Sequence, residues 1–231
     1  AQLLQMKIAD EQSQSLLHTM ENSAKRGAAL IQQVLSFARG VEGKRTILQV
    51  GHIIAEIKQI IKQTFPKSIC IYTDVAPIWT VCGDATQLYQ VLMNLCVNAR
   101  DAMPEGGNLE ISAENLLIDE NYARMHLEAK VGTYIVITVA DTGVGMPPEV
   151  VERIFEPFFT TKQIGEGTGL GLSTVMGIVK GHGGFVNVYS EVGRGTKFQV
   201  YLPAVEGIEK QRSRLELPPG QGELILVVDD E

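Results

Sequence analysis

Four short blocks follow one another between Asn94 and Leu172, and although any one alone could be accidental, all four in this order and spacing read as parts of one site. They are Asn94-Leu95-Cys96-Val97-Asn98-Ala99-Arg100-Asp101-Ala102-Met103, Asp141-Thr142-Gly143-Val144-Gly145-Met146, Phe155-Glu156-Pro157-Phe158-Phe159-Thr160-Thr161-Lys162 and Gly165-Glu166-Gly167-Thr168-Gly169-Leu170-Gly171-Leu172. The first lies on a helical pattern that Asp84 caps and that runs to about Met103. The second ends an alternating strand. The fourth opens a helix that stops at Gly183-Gly184. A fold that gathers these blocks needs helices laid on one side of a sheet, which is an α+β, two-layer α/β sandwich.

The rest of the chain fits that plan. Residues 47–50 read as a short strand, and Ile53, Ile54, Ile57, Ile60 and Ile61 mark the apolar face of a helix ending before Pro66. Residues 68–75 and 78–82 read as strands, and 108–117 and 134–141 alternate as half-buried ones. Between these last two, the polar stretch 118–131 is a loop or a hairpin excursion. Residues 185–190 and 196–202 form a hairpin around Val192-Gly193-Arg194-Gly195.

Both ends of the chain differ from its middle. In residues 13–39, Leu17, Met20, Ala24, Gly27, Ile31, Val34 and Ala38 form a heptad seam, and Leu16, Ser23, Leu30 and Phe37 add a second row. That face suits a helical bundle, whose partner is either an earlier helix (its tail at 1–8) or another subunit. Residues 205–223 are charged and rich in Pro and Gly, as a solvated linker is. The apolar run 224–228 followed by Asp229-Asp230-Glu231 reads as the opening of another domain. The expected division is therefore 1–40, 41–204, 205–223 and 224–231.

With 231 residues and 45% apolar content, the chain can bury one substantial core. Its formal charge of −7 leaves no basic stripe for a nucleic-acid backbone. No apolar run reaches the ~20 residues of a membrane-spanning helix. Cys70, Cys82 and Cys96 are an odd count without metal-ligand spacing, so we expect reduced core thiols in a cytoplasmic protein.

The chemistry of the blocks converges on a nucleotide. Asn94, Asn98 and Asp101 fall at i, i+4 and i+7, one polar stripe opposite Leu88, Val91, Leu92, Leu95 and Ala99. An asparagine oxygen is a hard ligand suited to Mg²⁺, although a lone Asn-x-x-x-Asn also suits a cap or a solvated face. Asp141 at a strand end can accept from an exocyclic amine such as adenine N6, and Gly143 and Gly145 let backbone approach a flat ring. The glycines of the fourth block precede a helix, whose free N–H groups and dipole bind phosphates. Thr168 adds a hydroxyl and Lys162 a mobile cation. No Gly-Lys-Ser/Thr follows, so this is not a P-loop. Phe155, Phe158 and Phe159 anchor the loop or mark a partner contact. His18 carries no acidic neighbour, His182 caps a helix end, and Trp79 and the methionines read as core.

In this order the blocks resemble the N, G1, F and G2 boxes of the sensor histidine kinases of two-component signalling, and Gly193-Arg194-Gly195-Thr196 resembles the family's last glycine motif. The resemblance covers 13–203 and implies a Bergerat-type ATP-binding sandwich preceded by a long helix of a dimerisation hairpin, hence a homodimer. It implies ATP and Mg²⁺ as ligands, with Asn94, Asn98 and Lys162 catalytic and Asn98 holding the metal. Asp101, Asp141, Gly143, Gly145, Thr161, Lys162, Gly165, Gly167, Thr168, Gly169, Leu170, Gly171, Leu172 and Thr196 would contact the nucleotide. Thr196 would support Asp141, if need be through water. The segment 224–231 resembles the start of a receiver domain, as in a hybrid kinase, so the partners implied are a second copy and a receiver.

One departure limits the expectation. The family's phosphate-accepting histidine lies on the first hairpin helix before an acidic residue, and neither His18 nor His52 matches that pattern. The chain as given is expected to bind ATP without phosphorylating itself. Asn94 stands where related hydrolases of the gyrase and mismatch-repair type carry a glutamate base, which favours phosphoryl transfer to protein over hydrolysis. The alternatives are a nucleotide-binding module that signals by conformation, and a hydrolytic ATPase.

Overall fold

A computed structural model describes residues 45–125, 128–162 and 167–205, together with Gln14. The expected hairpin within 1–40, the linker beyond Val205 and the acidic strand 224–231 lie outside the described residues.

The elements run β1 (Thr46–Leu48), α1 (Val50–Thr64), β2 (Ile69–Val75), β3 (Thr80–Gly83), α2 (Ala85–Asp101), β4 (Gly107–Ile118), α3 (Glu120–Met125), β5 (Gly132–Asp141), α4 (Pro148–Val151), α5 (Gly171–Gly181), β6 (Phe185–Glu191) and β7 (Gly195–Val205). Local chemistry sets their ends. Phe65 is extended (φ −84°, ψ 153°) because the ring of Pro66 excludes the helical region for the residue before it, so α1 stops there. Asp84 caps α2 as expected, its carboxylate accepting from the N–H groups of Thr86 and Gln87 at 2.8 and 3.1 Å.

The strands form one sheet in the order β1-β3-β7-β5-β4-β2, with β6 also on β7. All pairings are antiparallel except β2 with β4. Strand β7 is the hinge of the arrangement. Residues Gly195 to Tyr201 pair with β6, and its last two residues pair with β3 on the same edge.

On one face Leu109, Ile111, Ile135, Ile137, Val139, Val200 and Leu202 meet the apolar sides of α1, α2 and α5, and this is the main core. Each fully buried Ile or Leu there contributes about 1.5–3 kcal/mol. The other face holds a smaller cluster of Ile118, Ala129, Tyr134, Val136, Phe185 and Tyr201. Its aromatic rings stack, Phe185 on Tyr201 at 4.3 Å and 9°, with Tyr134 edge-on to Phe185 at 5.8 Å.

That second cluster corrects two expectations. The 118–131 stretch is not merely loop: it contains α3, which starts where the Asp119 carboxylate accepts from the N–H of Tyr122 at 2.8 Å. It also covers the sheet, so β5 is buried on both faces from Tyr134 to Val139 rather than half-buried. Two further expectations give way. Of the cysteines, Cys96 alone is core, while Cys70 and Cys82 are exposed because they sit on outward positions of β2 and β3. Trp79 is half-buried at the edge of the core, its backbone N–H donating to Asn115 Oδ1 at 2.8 Å.

Candidate nucleotide-binding site

Burying Leu88, Val91, Leu92, Leu95, Cys96 and Ala99 against the sheet turns the opposite stripe of α2 toward a cavity of about 450 Å³. Asn94, Asn98 and Asp101 all line it. Asn94 Nδ2 donates to the carbonyl of Gly171 at 3.2 Å, which leaves the amide oxygen for the cavity. Asn98 is half-buried and makes no side-chain hydrogen bond among the described residues. Asp101 is engaged on both oxygens: Oδ1 accepts from Arg100 Nε and Nη2 at 2.9 and 2.7 Å, and Oδ2 from Lys162 Nζ at 2.5 Å.

The opposite wall is the end of β5. Asp141 is 9% exposed, and its Oδ1 accepts from the N–H groups of Gly143 at 2.8 Å and Thr196 at 3.3 Å. The second of these contacts follows from register, since Asp141 lies across from Thr196 in the β5–β7 ladder. Support from Thr196 is therefore direct and comes from its backbone, with no water needed. Its hydroxyl pairs with Ser190 Oγ at 2.8 Å. Asp141 Oδ2 receives no hydrogen bond among the described residues and is the acceptor the cavity offers. Gly145 is needed as glycine: its φ is +65°, and a Cβ there would lie 2.0 Å from the Glu191 carbonyl oxygen. The preceding Val144 N–H is tied to Ala102 O at 2.9 Å, which fixes this loop to the end of α2.

The third and fourth blocks close the cavity together. Phe155 and Phe159 pack on the core, and the Arg153 guanidinium sits 4.4 Å from the Phe159 ring centroid. Phe158 turns outward instead, 66% exposed at φ +68°, while its N–H donates to Gly169 O at 3.0 Å. Thr160, Thr161, Lys162, Gly167, Thr168, Gly169, Gly171 and Leu172 line the cavity. Gly143 and Leu170 do not; the first holds Asp141, and the second is core, 2% exposed. Gly165 lies outside the described residues. No side chain caps the first turn of α5, so its leading N–H groups are free for an anion.

Among the described residues, the two carboxylates lining the cavity have opposite electrostatics. Burial pushes the Asp141 carboxyl above its ordinary value, and the two backbone N–H donors only partly offset it. For Asp101 partial burial pushes the same way, but the hydrogen bonds and charges of Lys162 and Arg100 outweigh it and hold the carboxyl below its ordinary value. The sequence reading missed the apolar lining from Met146, Val150, Ile154 and Phe198, which needed knowledge of which strand faces which helix. It also missed Ser190, whose Oγ accepts from the Met146 N–H at 2.8 Å and steadies the loop. Nothing in the local sequence marks that serine.

Residues 83–206 match the family of histidine kinase-, DNA gyrase B-, and HSP90-like ATPases. The chain belongs to this family. Among curated relatives, the sensor kinase CckA of Brucella abortus is 40% identical over 195 residues, 84% of this chain and 20% of that protein. The sensory histidine kinase/phosphatase NtrB of Rhizobium meliloti is 32% identical over 214 residues, 90% of this chain and 54% of that one. The chain thus spans about a fifth to about half the length of these relatives. Among solved structures, full-length ShkA in complex with AMPPNP superposes with a TM-score of 0.71 at 26% identity, over 89% of this chain and 42% of that one. The catalytic domain of histidine kinase ThkA superposes with a TM-score of 0.57 at 29% identity, over 70% of this chain and 96% of that one. The two-layer sandwich is thus the ATP-binding fold of this family.

The residues present fit a magnesium nucleotide. Asp141 Oδ2 offers an unshared acceptor beside apolar walls, Asn98 an unpartnered amide, and α5 an uncapped N-terminus. Among the described residues no three His, Cys, Asp or Glu side chains gather to hold a metal by themselves. A cation here would depend on Asn98 and on phosphate oxygens, as Mg²⁺ does when protein supplies one or two ligands. No helix among the described residues is long and apolar enough to cross a membrane.

Proposed function

We propose that the chain is the catalytic region of a two-component sensor histidine kinase, which transfers the γ-phosphate of Mg²⁺-ATP to a histidine on a dimerisation hairpin and onward to a receiver aspartate. The observation that carries this reading is that no carboxylate among the described residues is left over to serve as a base. Of the two lining the cavity, Asp101 has both oxygens on cations, and Asp141 has one oxygen on backbone N–H groups and the other committed to adenine in this reading. Asn94, on the remaining part of the stripe, is an amide and takes no proton. Water attacking a phosphate needs a base far more than a neutral imidazole does, so this cavity suits transfer to histidine.

The roles follow from the geometry. Asp141 Oδ2 accepts from adenine N6, with the ring between the Gly143–Gly145 loop and the apolar wall. Asn98 would hold Mg²⁺, which when bound would neutralise charge on the phosphate oxygens. The N–H groups at the start of α5, with Gly167 and Thr168, hold the phosphates, and Lys162 adds a cation. Asn94 orients the incoming nucleophile through its free oxygen. Imidazole nitrogen then bonds to the γ-phosphorus as the bond to the bridging oxygen breaks, and ADP leaves. In this reading residues 1–40 belong to the dimerisation hairpin, 205–223 are a linker, 224–231 begin a receiver domain, and the region works in the cytoplasm.

The test supplies the chain with γ-labelled ATP, Mg²⁺ and a hairpin polypeptide carrying an acceptor histidine. Acid-labile, alkali-stable label on the hairpin, absent with Asn98→Ala, is the expected result. Nucleotide binding without label would make the chain a nucleotide-sensing module. Steady release of phosphate would make it a hydrolase.

A further inference from the structure

The Lys162 ammonium is not free in the cavity, and what holds it is itself held. Lys162 and Asp101 meet across 61 positions of sequence, the Nζ to Oδ2 contact being 2.5 Å. Arg100 grips the other oxygen of Asp101 with two donors, and its guanidinium lies 5.4 Å from the Phe65 ring centroid. A chain of contacts thus runs from the end of α1, through Arg100 and Asp101, to Lys162. A four-carbon side chain normally samples many rotamers, and fixing one carries an entropy cost. Here part of that ordering precedes any ligand.

Position makes this more than a surface ion pair. Arg100 and Lys162 are the cationic side chains lining the cavity among the described residues, and Arg100 spends its fork on Asp101. Lys162 has three N–H donors and gives one to Asp101, so its others face a ligand without leaving the carboxylate. Asp101 also stands one helical turn beyond Asn98, on the same stripe and in the same cavity. A bare carboxylate there would repel a polyphosphate; with Lys162 on it, the pair presents a cation.

Resting on the function proposed above, we infer that Asp101 is a positioning residue for phosphoryl transfer: it presents the Lys162 ammonium to the nucleotide's phosphate chain and has no contact of its own with the nucleotide. Placement rather than charge is then what Asp101 supplies. Misplacing a catalytic cation by about 1 Å costs up to about a hundredfold in rate. Losing Asp101 should therefore slow transfer more than it weakens ATP binding.

The experiment is a double-mutant cycle on the full chain, with Asp101→Asn, Lys162→Ala and the double variant. Affinities for Mg²⁺-ATP and for adenosine are measured with transfer rates to the supplied hairpin, and folding is checked by thermal unfolding. We expect Asp101→Asn to lower kcat roughly tenfold with KM for ATP within about threefold. In the Lys162→Ala background the same change should cause no further loss, and Asp101→Glu should restore part of the loss seen with Lys162 present. A full, additive loss from Asp101→Asn in that background, or no loss in the wild-type background, overturns the inference. If the wild-type chain binds ATP but transfers no label, the function proposed above fails visibly first. The inference is then read from affinity alone: Asp101→Asn must reduce the ATP-over-adenosine preference when Lys162 is present and not when it is absent.

Discussion

The two carboxylates of the cavity are the same functional group in two unlike settings, and the difference separates recognition from positioning. Asp141, at the end of β5, is 9% exposed and surrounded by backbone, whose N–H groups take one oxygen and leave the other for a ligand. Asp101, at the end of α2, has a 26% exposed side chain and cations on both oxygens, leaving neither for a ligand. A nearly buried carboxylate with one oxygen unshared is under electrostatic stress that an exocyclic amine relieves. A saturated one is at rest and serves to hold something else. Position in a shared cavity does not assign a role; the partners already present do.

The comparison breaks most visibly at Asp141. Asp141→Ala should lower affinity for an ATP analogue about a hundredfold, by losing the adenine acceptor and orphaning two backbone donors. Asp141→Asn separates the two effects. Its oxygen still accepts from Gly143 and Thr196, so thermal stability at neutral pH should hold or rise, while calorimetry should find adenine recognition lost. A variant that unfolds would show that the charge itself holds the loop. Next in size is Gly195→Ala. Gly195 has φ +105°, and a Cβ there would lie 2.0 Å from the Asp141 carbonyl oxygen, so denaturant melts should show a loss of more than about 2 kcal/mol. Asn98→Ala should cost about tenfold in Mg²⁺-dependent affinity, yet leave stability within about 0.5 kcal/mol because the side chain has no hydrogen-bond partner among the described residues.

Acid sharpens the contrast, because the two groups shift in opposite directions. Between Asp141's ordinary value and its raised folded value, the folded chain holds a proton that the unfolded chain has released. Its contribution to stability therefore grows as pH falls through that window, while the ionised form proposed to recognise adenine disappears. Asp101 behaves oppositely: its contribution is complete above the ordinary carboxylate value and is lost only as pH falls through its depressed one. Nucleotide titrations at decreasing pH should lose affinity while the fold still melts normally. Simultaneous loss would contradict the assignment. Smallest of all, Asp101→Asn should lower stability by about 1 kcal/mol or less, since partly exposed ion pairs are worth little.

Much of this could be read before any coordinates. The helix from Asp84, the strand ending in Asp141 and the helix opening at Gly171 each follow from caps, alternation and glycine placement, and they stand where expected. The stripe of Asn94, Asn98 and Asp101 followed from helical spacing alone. What could not be read was pairing across long separations. Thr196 reaches Asp141 through its backbone because β5 and β7 adopt one register, and backbone contacts leave no trace in side-chain identity. Lys162 read as a mobile cation because no local spacing marks its partner, which is 61 positions away. The stretch 118–131 read as loop because of its charged and polar residues, among them Asp119, Glu120, Asn121, Arg124, Glu128 and Lys130. Ile118 and Ala129 are nevertheless buried, which suffices to lay it on the aromatic face of the sheet.

His182 and Asn94 together have a mechanical consequence. The Asp84 N–H donates to His182 Nε2 at 3.1 Å, so Nδ1 carries the ring's proton and gives it to Ile178 O at 2.8 Å. This joins the start of α2 to the end of α5, and Asn94 on Gly171 joins the middle of α2 to the start of α5. The two antiparallel helices are therefore rungs of one frame, about 15 Å between its two joints at 1.5 Å per residue. A frame pinned at both ends transmits displacement without bending. One wall of the cavity is a fixed ruler, against which a ligand-driven shift of Phe155 to Lys162 can be measured.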